Sequence, residues 1–332
     1  MNYLFASKRY RLPLRAPLRT AHGLWREREG LLVRLTDETG RVGLGEIAPL
    51  EWFGTERLAE AETLCRGWGD RLTEAQMAAI PARFGCLRFA LAAAKPAAEA
   101  KAPADQRLPV AALLPAGRAA LEALPARLEA GFLAFKWKVG VGRVEDELAI
   151  LDDLLGALPA YTRLRLDANG AWERRAAERW LAYCAERPLE FIEQPVAPAE
   201  VDLLLGLAED YPVKLALDES VTGLAAAREW QARGWRGVFV IKPALAGPLA
   251  ELEAWIRESK ADVVFSSAIE TALGRAAILR WILSARLTQR ALGFGIGEIF
   301  GSRVWDGPPV GPLLDAGWCD AVDPEELWNA LN

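Results

Sequence analysis

The sequence predicts an α/β protein, in which an N-terminal α+β capping domain precedes a modified TIM (β/α) barrel and a C-terminal tail completes the cap. Three observations support this fold class. The chain has 332 residues, 52% of them hydrophobic, which is enough for two domains. Short apolar runs end in charged residues at nearly even spacing, at Lys138, Asp167, Glu193, Asp218 and Lys242. Segments with helical spacing of apolar residues separate these runs, so strands and helices alternate.

The first 100 residues lack this alternation and predict the capping domain. Residues 3–14, 30–36 and 42–47 have the pattern of antiparallel strands, and residues 56–72 and 81–94 have that of helices. Residues 95–106 are rich in alanine, proline and charge and contain few large apolar side chains, which is typical of a linker. The capping domain is therefore placed at residues 1–100.

Residues 101–300 predict the barrel. Its helices are expected at 144–158, 173–185, 201–208 and 248–258. Together with runs at 108–114, 262–267 and 291–296, the five charged strand ends make eight strands. Eight parallel strands close into a barrel whose carboxyl ends meet on one face, so the five charges should converge there. Residues 301–332 form the tail, which is expected to return to the capping domain.

Composition excludes several classes of function. The formal net charge of −5 and the lack of a basic stripe argue against a nucleic-acid partner. No long uncharged apolar stretch indicates a membrane partner or a signal peptide, so a cytoplasmic location is expected. Four scattered cysteines do not form a zinc or disulfide pattern. The single histidine, His22, leaves carboxylates and lysines as the bases, and it is assigned to loop packing or, alternatively, to substrate contact. Oligomeric state is not predicted.

Three of the strand ends carry carboxylates: Asp167, Glu193 and Asp218. Three ionised carboxylates on adjacent strand ends repel one another unless a cation lies between them. An all-oxygen donor set without histidine or thiolate favours a hard divalent ion, so the prediction is Mg²⁺, with Mn²⁺ as the alternative. Taken singly, each acid could instead cap the helix that follows it.

Three lysines flank these acids. Lys136 and Lys138 are two residues apart on one strand and therefore point to the same side, while Lys242 ends a strand across the barrel mouth. A neighbouring ammonium lowers the pKa of a lysine, so Lys136 can help Lys138 to act as a base at neutral pH. The alternative is that each lysine forms a salt bridge with an acid of the site.

The motifs Lys-x-Lys, Asp-Ala-Asn-Gly, Glu-Gln-Pro, Asp-Glu-Ser and Ile-Lys-Pro, in this order, resemble the enolase superfamily and its muconate-lactonising-enzyme-like subgroup. The resemblance spans the whole chain, because that superfamily also combines a capping domain with a modified barrel. It implies proton abstraction next to a carboxylate by a lysine, with Mg²⁺ stabilising the enediolate, as is general for enzymes of this superfamily.

Within the superfamily, residues 266–274, residues 45–50 and the short length are most similar to the o-succinylbenzoate synthase family. This implies a small-molecule carboxylate substrate, 2-succinyl-6-hydroxy-2,4-cyclohexadiene-1-carboxylate, which loses water by syn elimination to give 2-succinylbenzoate in menaquinone or phylloquinone biosynthesis. Lys138 would be the base, Lys242 would stabilise the enediolate ring by a cation–π contact, and Lys136 would tune Lys138.

The remaining residues of the predicted site surround this core. Substrate contacts are expected from Arg165, Ser266, Ser267, Gly295 and Ile296, and supporting contacts around the acids from Asn169 and Glu219. Strands seven and eight of such barrels commonly bind anions through backbone N–H groups. For the glycines of residues 293–297, tight packing in the barrel is the alternative.

Two other functions fit part of the pattern. Lysines on opposite faces could exchange a proton across a stereocentre, as in N-acylamino acid racemases or dipeptide epimerases. The latter use an Asp-x-Asp on the last strand, where this chain has Gly295-Ile296-Gly297. A non-catalytic barrel that only binds metal would need neither Lys138 nor Lys242.

Overall fold

A computed structural model describes residues 2–20, 23–96, 103–287 and 290–331. His22 and part of the predicted linker lie outside these residues. The first unit is an antiparallel sheet in the order β3-β2-β1-β4. Its strands are β1 (Asn2–Thr20), β2 (Gly23–Thr36), β3 (Val42–Ile47) and β4 (Arg71–Thr73). Strand β1 buries Tyr3 and Phe5 near its start and Tyr10, Leu12 and Leu14 further along. Its register with β2 is continuous from Leu4 to Pro13, so these two sets lie on opposite faces of the sheet, and each face is covered over part of the strand.

Three helices pack against this sheet: α1 (Leu58–Trp68), α2 (Glu74–Ala78) and α3 (Gly85–Ala93). The helix predicted over residues 56–72 ends early, because Gly69 adopts a positive φ of 67° and the chain then enters β4. Helix α3 packs directly on β3, since a Cβ atom at Gly45 would lie 2.1 Å from the carbonyl oxygen of Ala90.

The second unit is a barrel of parallel strands in the order β11-β10-β9-β8-β7-β6-β5-β12. A bridge between Ser266 and Gly293 joins β11 to β12 and closes the ring. The predicted fold class is thereby confirmed. The strands are β5 (Leu108–Leu114), β6 (Ala134–Lys138), β7 (Arg163–Asp167), β8 (Leu189–Glu193), β9 (Leu215–Leu217), β10 (Val238–Ile241), β11 (Val263–Phe265) and β12 (Leu292–Gly295).

Helices surround the barrel. Four of them were predicted: α5 (Val144–Ala157), α6 (Arg174–Cys184), α7 (Val201–Asp210) and α9 (Leu249–Ser259). Three others were not predicted individually: α4 (Ala119–Glu129), α8 (Leu224–Ala232) and α10 (Ala272–Ala285). Helix α10 is buried on most of its surface, so its sequence lacks the apolar stripe of a surface helix. No helix within the described ranges is long and apolar enough to cross a membrane.

A small apolar cluster fills the barrel below the charged strand ends. It consists of Phe191, Ala216, Val238, Val240 and Val264. Several members lie two residues before a charged strand end and therefore share its side of the strand. The barrel thus has an apolar floor beneath a polar mouth.

The tail contacts both units through β13 (Leu313–Leu314), α11 (Arg303–Asp306), α12 (Ala316–Asp320) and α13 (Pro324–Asn329). Strand β13 pairs antiparallel with β5 of the barrel. In the capping domain, Lys8 Nζ donates to the carbonyl of Trp328 at 3.0 Å, and Arg34 pairs with Glu325 at 3.1 Å. The tail therefore ties the barrel to the cap.

Candidate active site

The strand register brings the predicted charged residues together at one end of the barrel. Lys138 lies opposite Asp167 on the neighbouring strand, Asp167 lies opposite Glu193, and Glu193 lies opposite Ala216, two residues before Asp218. Neighbouring strands are about 4.8 Å apart. The carboxylates are consequently forced into proximity by the backbone itself.

Lys136 neutralises two of these carboxylates. Its ammonium donates to Asp167 Oδ2 at 2.8 Å and to Glu193 Oε1 at 2.7 Å. Burial alone lowers the pKa of Lys136, but Asp167, Glu193 and Asp218 together raise it above its ordinary value. The ammonium therefore stays charged and acts as a fixed cation within the site.

Lys242 neutralises the third carboxylate. Its ammonium forms a salt bridge with Asp218 Oδ1 and lies 4.2 Å from the ring centroid of Phe53. Phe53 belongs to the loop of residues 50–54, which reaches from the cap to the barrel mouth. Lys242 thus makes a cation–π contact with an aromatic ring of the protein itself. Its predicted contact with a substrate ring would have the same geometry.

Lys138 differs from the other two lysines. Its side chain is half-buried, and within the described part of the chain its ammonium has no hydrogen-bond or salt-bridge partner. Lys138 and Lys136 share one side of β6, so the unpaired nitrogen faces the same mouth as the carboxylates. A lysine without a carboxylate partner can accept a proton without first breaking an ion pair.

The electrostatics of the acids reflect their crowding. Burial raises the pKa of Glu193 well above its ordinary value; Lys136 opposes this rise, and Asp167 and Asp218 add to it. Burial also raises the pKa of Glu219 to about 7, again with contributions from Asp218 and Asp167. Asn169 Nδ2 donates to Glu219 Oε1 at 3.1 Å, so the two predicted supporting residues are in contact.

Gln194 aligns the neighbouring strand ends, a role that the sequence analysis missed. Its amide oxygen accepts from the backbone N–H groups of Asp218 and Ser220 at 3.0 and 3.1 Å. Its amide nitrogen donates to Ser220 Oγ at 2.8 Å and to the carbonyl of Val196. Gln194 and Asn169 both have positive φ angles, 37° and 46°, and such strained residues cluster at functional sites. The motif Glu-Gln-Pro contains this glutamine, but the sequence analysis used only the glutamate of the motif, Glu193.

The donor set fits a hard divalent cation. Its oxygens come from buried carboxylates, and Glu219 Oε2 is buried without a hydrogen-bond partner among the described residues. As the side chains stand, no three Asp, Glu, His or Cys groups in the described ranges converge closely enough to hold a metal ion. Instead, Lys136 and Lys242 occupy carboxylate oxygens. The metal ligands therefore remain a prediction that the chemistry of the site supports.

Comparison with known proteins agrees with this geometry. Residues 5–97 match the family model "MenC, N-terminal domain", and residues 119–286 match "Enolase C-terminal domain-like". The o-succinylbenzoate synthase of Thermosynechococcus vestitus is 40% identical over 97% of this chain and 98% of that protein. The chain belongs to the o-succinylbenzoate synthase family. This membership confirms the resemblance drawn from the motifs.

Solved structures extend the comparison. The o-succinylbenzoate synthase of Thermosynechococcus elongatus BP-1, with Mg in its active site, superposes with a TM-score of 0.85 at 40% identity, covering 90% of this chain and 95% of that one. The L-Ala-D/L-Glu epimerase of Bacillus subtilis has a TM-score of 0.79 at 21% identity, covering 95% and 96% of the two chains. The epimerase shares the fold of the o-succinylbenzoate synthase family.

Strands β11 and β12 place the other predicted substrate residues at the mouth. Ser266, Gly295 and Ile296 are half-buried there. The Ser267 hydroxyl is buried and donates to Glu270 Oε1 at 2.9 Å, so it supports the turn that it belongs to. A Cβ atom at Gly295 would lie 2.2 Å from the carbonyl oxygen of Ala111, which favours the packing interpretation for this glycine.

Arg165 lies apart from the other members of the site. Its guanidinium donates to Glu190 Oε2 at 2.6 Å and lies 4.9 Å from the ring centroid of Phe191. Glu190 also pairs with Arg290 at 2.5 Å, just before β12. These contacts lie toward the amino ends of the strands, so the guanidinium of Arg165 pairs with Glu190 and not with the carboxylates of the site, and its substrate contact stays a prediction. The buried partner Glu190 was not considered in the sequence analysis.

Proposed function

We propose that this chain catalyses the Mg²⁺-dependent syn dehydration of 2-succinyl-6-hydroxy-2,4-cyclohexadiene-1-carboxylate to 2-succinylbenzoate, as part of menaquinone or phylloquinone biosynthesis. The single observation that carries the proposal is the unequal pairing of the three lysines. Lys136 and Lys242 are bound to carboxylates, and Lys138 is left unpaired at the same mouth. A single available base on one face suits a syn elimination.

Asp167, Glu193 and Asp218 would hold the Mg²⁺ ion. When bound, the ion stabilises the negative charge that develops on the substrate carboxylate as the adjacent carbon loses its proton. Asn169 and Glu219 would orient these ligands through their mutual hydrogen bond. Lys136 would keep the net charge of the carboxylate cluster low and hold Asp167 and Glu193 in place.

Lys138 would carry out both proton transfers. Its neutral amine takes the proton from the carbon next to the substrate carboxylate, and the resulting ammonium gives that proton to the hydroxyl group, which leaves as water when the C–O bond breaks. The ring becomes aromatic in the same step. Lys242 would lie on the opposite face of the ring and stabilise its negative charge, taking the substrate ring in place of Phe53.

The proposal includes a small-molecule carboxylate as the partner and a cytoplasmic location.

An N-acylamino acid racemase activity is the second candidate, because Lys138 and Lys242 lie on two sides of the site. The salt bridge between Lys242 and Asp218 disfavours it, since a second base would have to leave its carboxylate. Loss of α-deuterium from both enantiomers of an N-acylamino acid would support racemisation, and loss from one enantiomer or neither would exclude it.

An ultraviolet assay tests the proposed dehydration. Purified protein with Mg²⁺ and the cyclohexadiene carboxylate should form the aromatic acid rapidly, and a chelator should stop the reaction. Readdition of Mg²⁺ should restore it. A folded, Mg²⁺-loaded protein that forms no aromatic product would contradict the proposal and shift attention to proton exchange on acylamino acids.

A further inference from the structure

The turn that follows β11 is held in a strained shape. Residues 266–271 connect β11 to α10, and Ile269 within this turn has a φ of +59°. A β-branched residue in the left-handed region is a conformational outlier, and it persists only where the surroundings impose it. The contacts that impose it are therefore informative.

Bonds within the turn account for part of the constraint. The backbone N–H of Ile269 donates to Ser267 Oγ at 2.9 Å, and the N–H of Ala268 donates to Glu270 Oε2 at 2.7 Å. Ser267 and Glu270 are both buried. These bonds shape the turn, but they do not fix its position relative to the rest of the barrel mouth.

Glu46, on β3 of the cap, fixes the end of the turn. Its carboxylate accepts from the backbone N–H of Thr271 at 2.9 Å, from Thr271 Oγ1 at 2.7 Å and from the N–H of Gly274 at 3.0 Å. Tyr10 also donates to it at 2.6 Å. Glu46 therefore caps helix α10 from another domain, and a Cβ atom at Gly274 would approach it to 2.7 Å. The first turn of α10 is thus already occupied by a carboxylate.

Arg28, on β2 of the cap, holds the middle of the turn. Its buried guanidinium donates to the carbonyl oxygen of Ile269 at 3.0 Å and to that of Pro49 at 2.6 Å, and it also bonds the carbonyl of Ala48. One planar group thereby connects the strained residue to the segment that leads into the loop carrying Phe53. The cap thus contacts the turn through one cation and one anion.

We propose that Glu46 and Arg28 are positioning residues for the substrate. They hold the turn after β11 so that Ser266 and the adjoining backbone form the wall of the mouth that binds a substrate carboxylate, while Glu46 keeps that anion off the first turn of α10. This inference rests on the proposed function, because it concerns the substrate of that reaction. The residues touch the turn and not the reacting atoms.

The variants Glu46→Gln and Arg28→Lys test it, with Arg88→Met as the matched control. Arg88 makes a 2.7 Å ion pair from cap helix α3 to Glu251 of the barrel, without contact to residues 266–271. In Glu46→Gln and Arg28→Lys, KM and the inhibition constant of 2-succinylbenzoate should rise about tenfold or more, whereas kcat should change less than about threefold. Mg²⁺ affinity should be unchanged.

Hydrogen exchange separates this inference from the proposed function. Amides of residues 266–274 should exchange faster in both test variants and at the wild-type rate in Arg88→Met, whatever reaction the protein catalyses. Unchanged exchange would overturn the inference. So would a KM within about twofold of wild type in the folded variants, or an equal rise in KM for Arg88→Met. If Glu46→Gln does not fold, the results for Arg28→Lys alone decide whether the inference holds. Lack of turnover by the wild-type protein would count against the proposed dehydration only, because hydrogen exchange still tests the positioning role.

Discussion

At the scale of the residue, chemical role follows from the partner and not from the residue type. Lys136, Lys138 and Lys242 all face one mouth, yet two of them are engaged by carboxylates. An ammonium in a buried ion pair resists deprotonation, because loss of its proton leaves the carboxylate uncompensated. We therefore propose proton transfer for Lys138 and electrostatic stabilisation for the other two lysines.

The first prediction follows from this difference. Lys138→Ala should lower kcat by at least about 100-fold, since general acid–base catalysis by a positioned group contributes roughly 10² to 10⁴. Its melting temperature should change little, because no ion pair of the described residues is broken. Steady-state kinetics and thermal unfolding measure both effects. Lys214→Ala, at the surface beside Asp262, is the matched control, and near-normal turnover by folded Lys138→Ala would remove Lys138 as the base.

At the scale of the element, some glycines mark places where two elements of secondary structure approach too closely for a Cβ atom. Gly45 lets α3 approach β3, whereas Gly206 lies within α7 with open space at its Cβ position. Gly45→Ala should lower the free energy of unfolding by about 1 to 3 kcal/mol through overpacking. Gly206→Ala should raise it by about 0.5 to 1 kcal/mol, because alanine favours a helix. Urea unfolding of both variants checks the pair, and equal effects would contradict the close approach.

Asp37, in the turn between β2 and β3, should make the stability of the folded protein depend on pH. Bonds from the Thr39 hydroxyl, and then from Arg41, outweigh burial and lower the pKa of Asp37 to about 2. A carboxyl group whose pKa is lowered in the folded state stabilises it above the unfolded pKa, and the stabilisation is lost as pH falls through the folded pKa. Asp37→Asn should therefore be less stable than wild type at pH 7, and the difference should shrink between about pH 4 and pH 2. Urea titrations at several pH values measure the difference, and a constant gap would refute the assignment.

At the scale of the whole molecule, the barrel was predictable and its connections to the cap were not. Regular spacing of charged strand ends reflects a local repeat of strand and helix, which is visible in sequence. Glu46 and Thr271, by contrast, are 225 positions apart in the sequence. Only the folded structure shows that a carboxylate of the cap caps the N-terminus of a barrel helix. The same applies to Arg165, which pairs with the buried Glu190. Convergence of the acids followed from topology, whereas the pairing of each charge required coordinates.

If the carboxylate cluster holds Mg²⁺ as proposed, metal binding is linked to the stability of the whole molecule. A ligand that binds the folded state alone stabilises it by RT ln(1 + [L]/Kd), which is about 2.7 kcal/mol at 100 times Kd. Mg²⁺ should therefore raise the melting temperature in proportion to the logarithm of its concentration, and a chelator should reverse the rise. Asp218→Asn removes one negative charge and should weaken this response together with turnover.

A matched variant makes this measurement specific. Asp152→Asn, which loses a carboxylate paired with Arg187 at the surface, should keep the full response to Mg²⁺. Calorimetric titration with Mg²⁺ alone gives the affinity without any dependence on turnover. An unchanged Mg²⁺ affinity in folded Asp218→Asn would count against its role as a ligand, since the remaining carboxylates, Asp167 and Glu193, would then suffice to hold the ion.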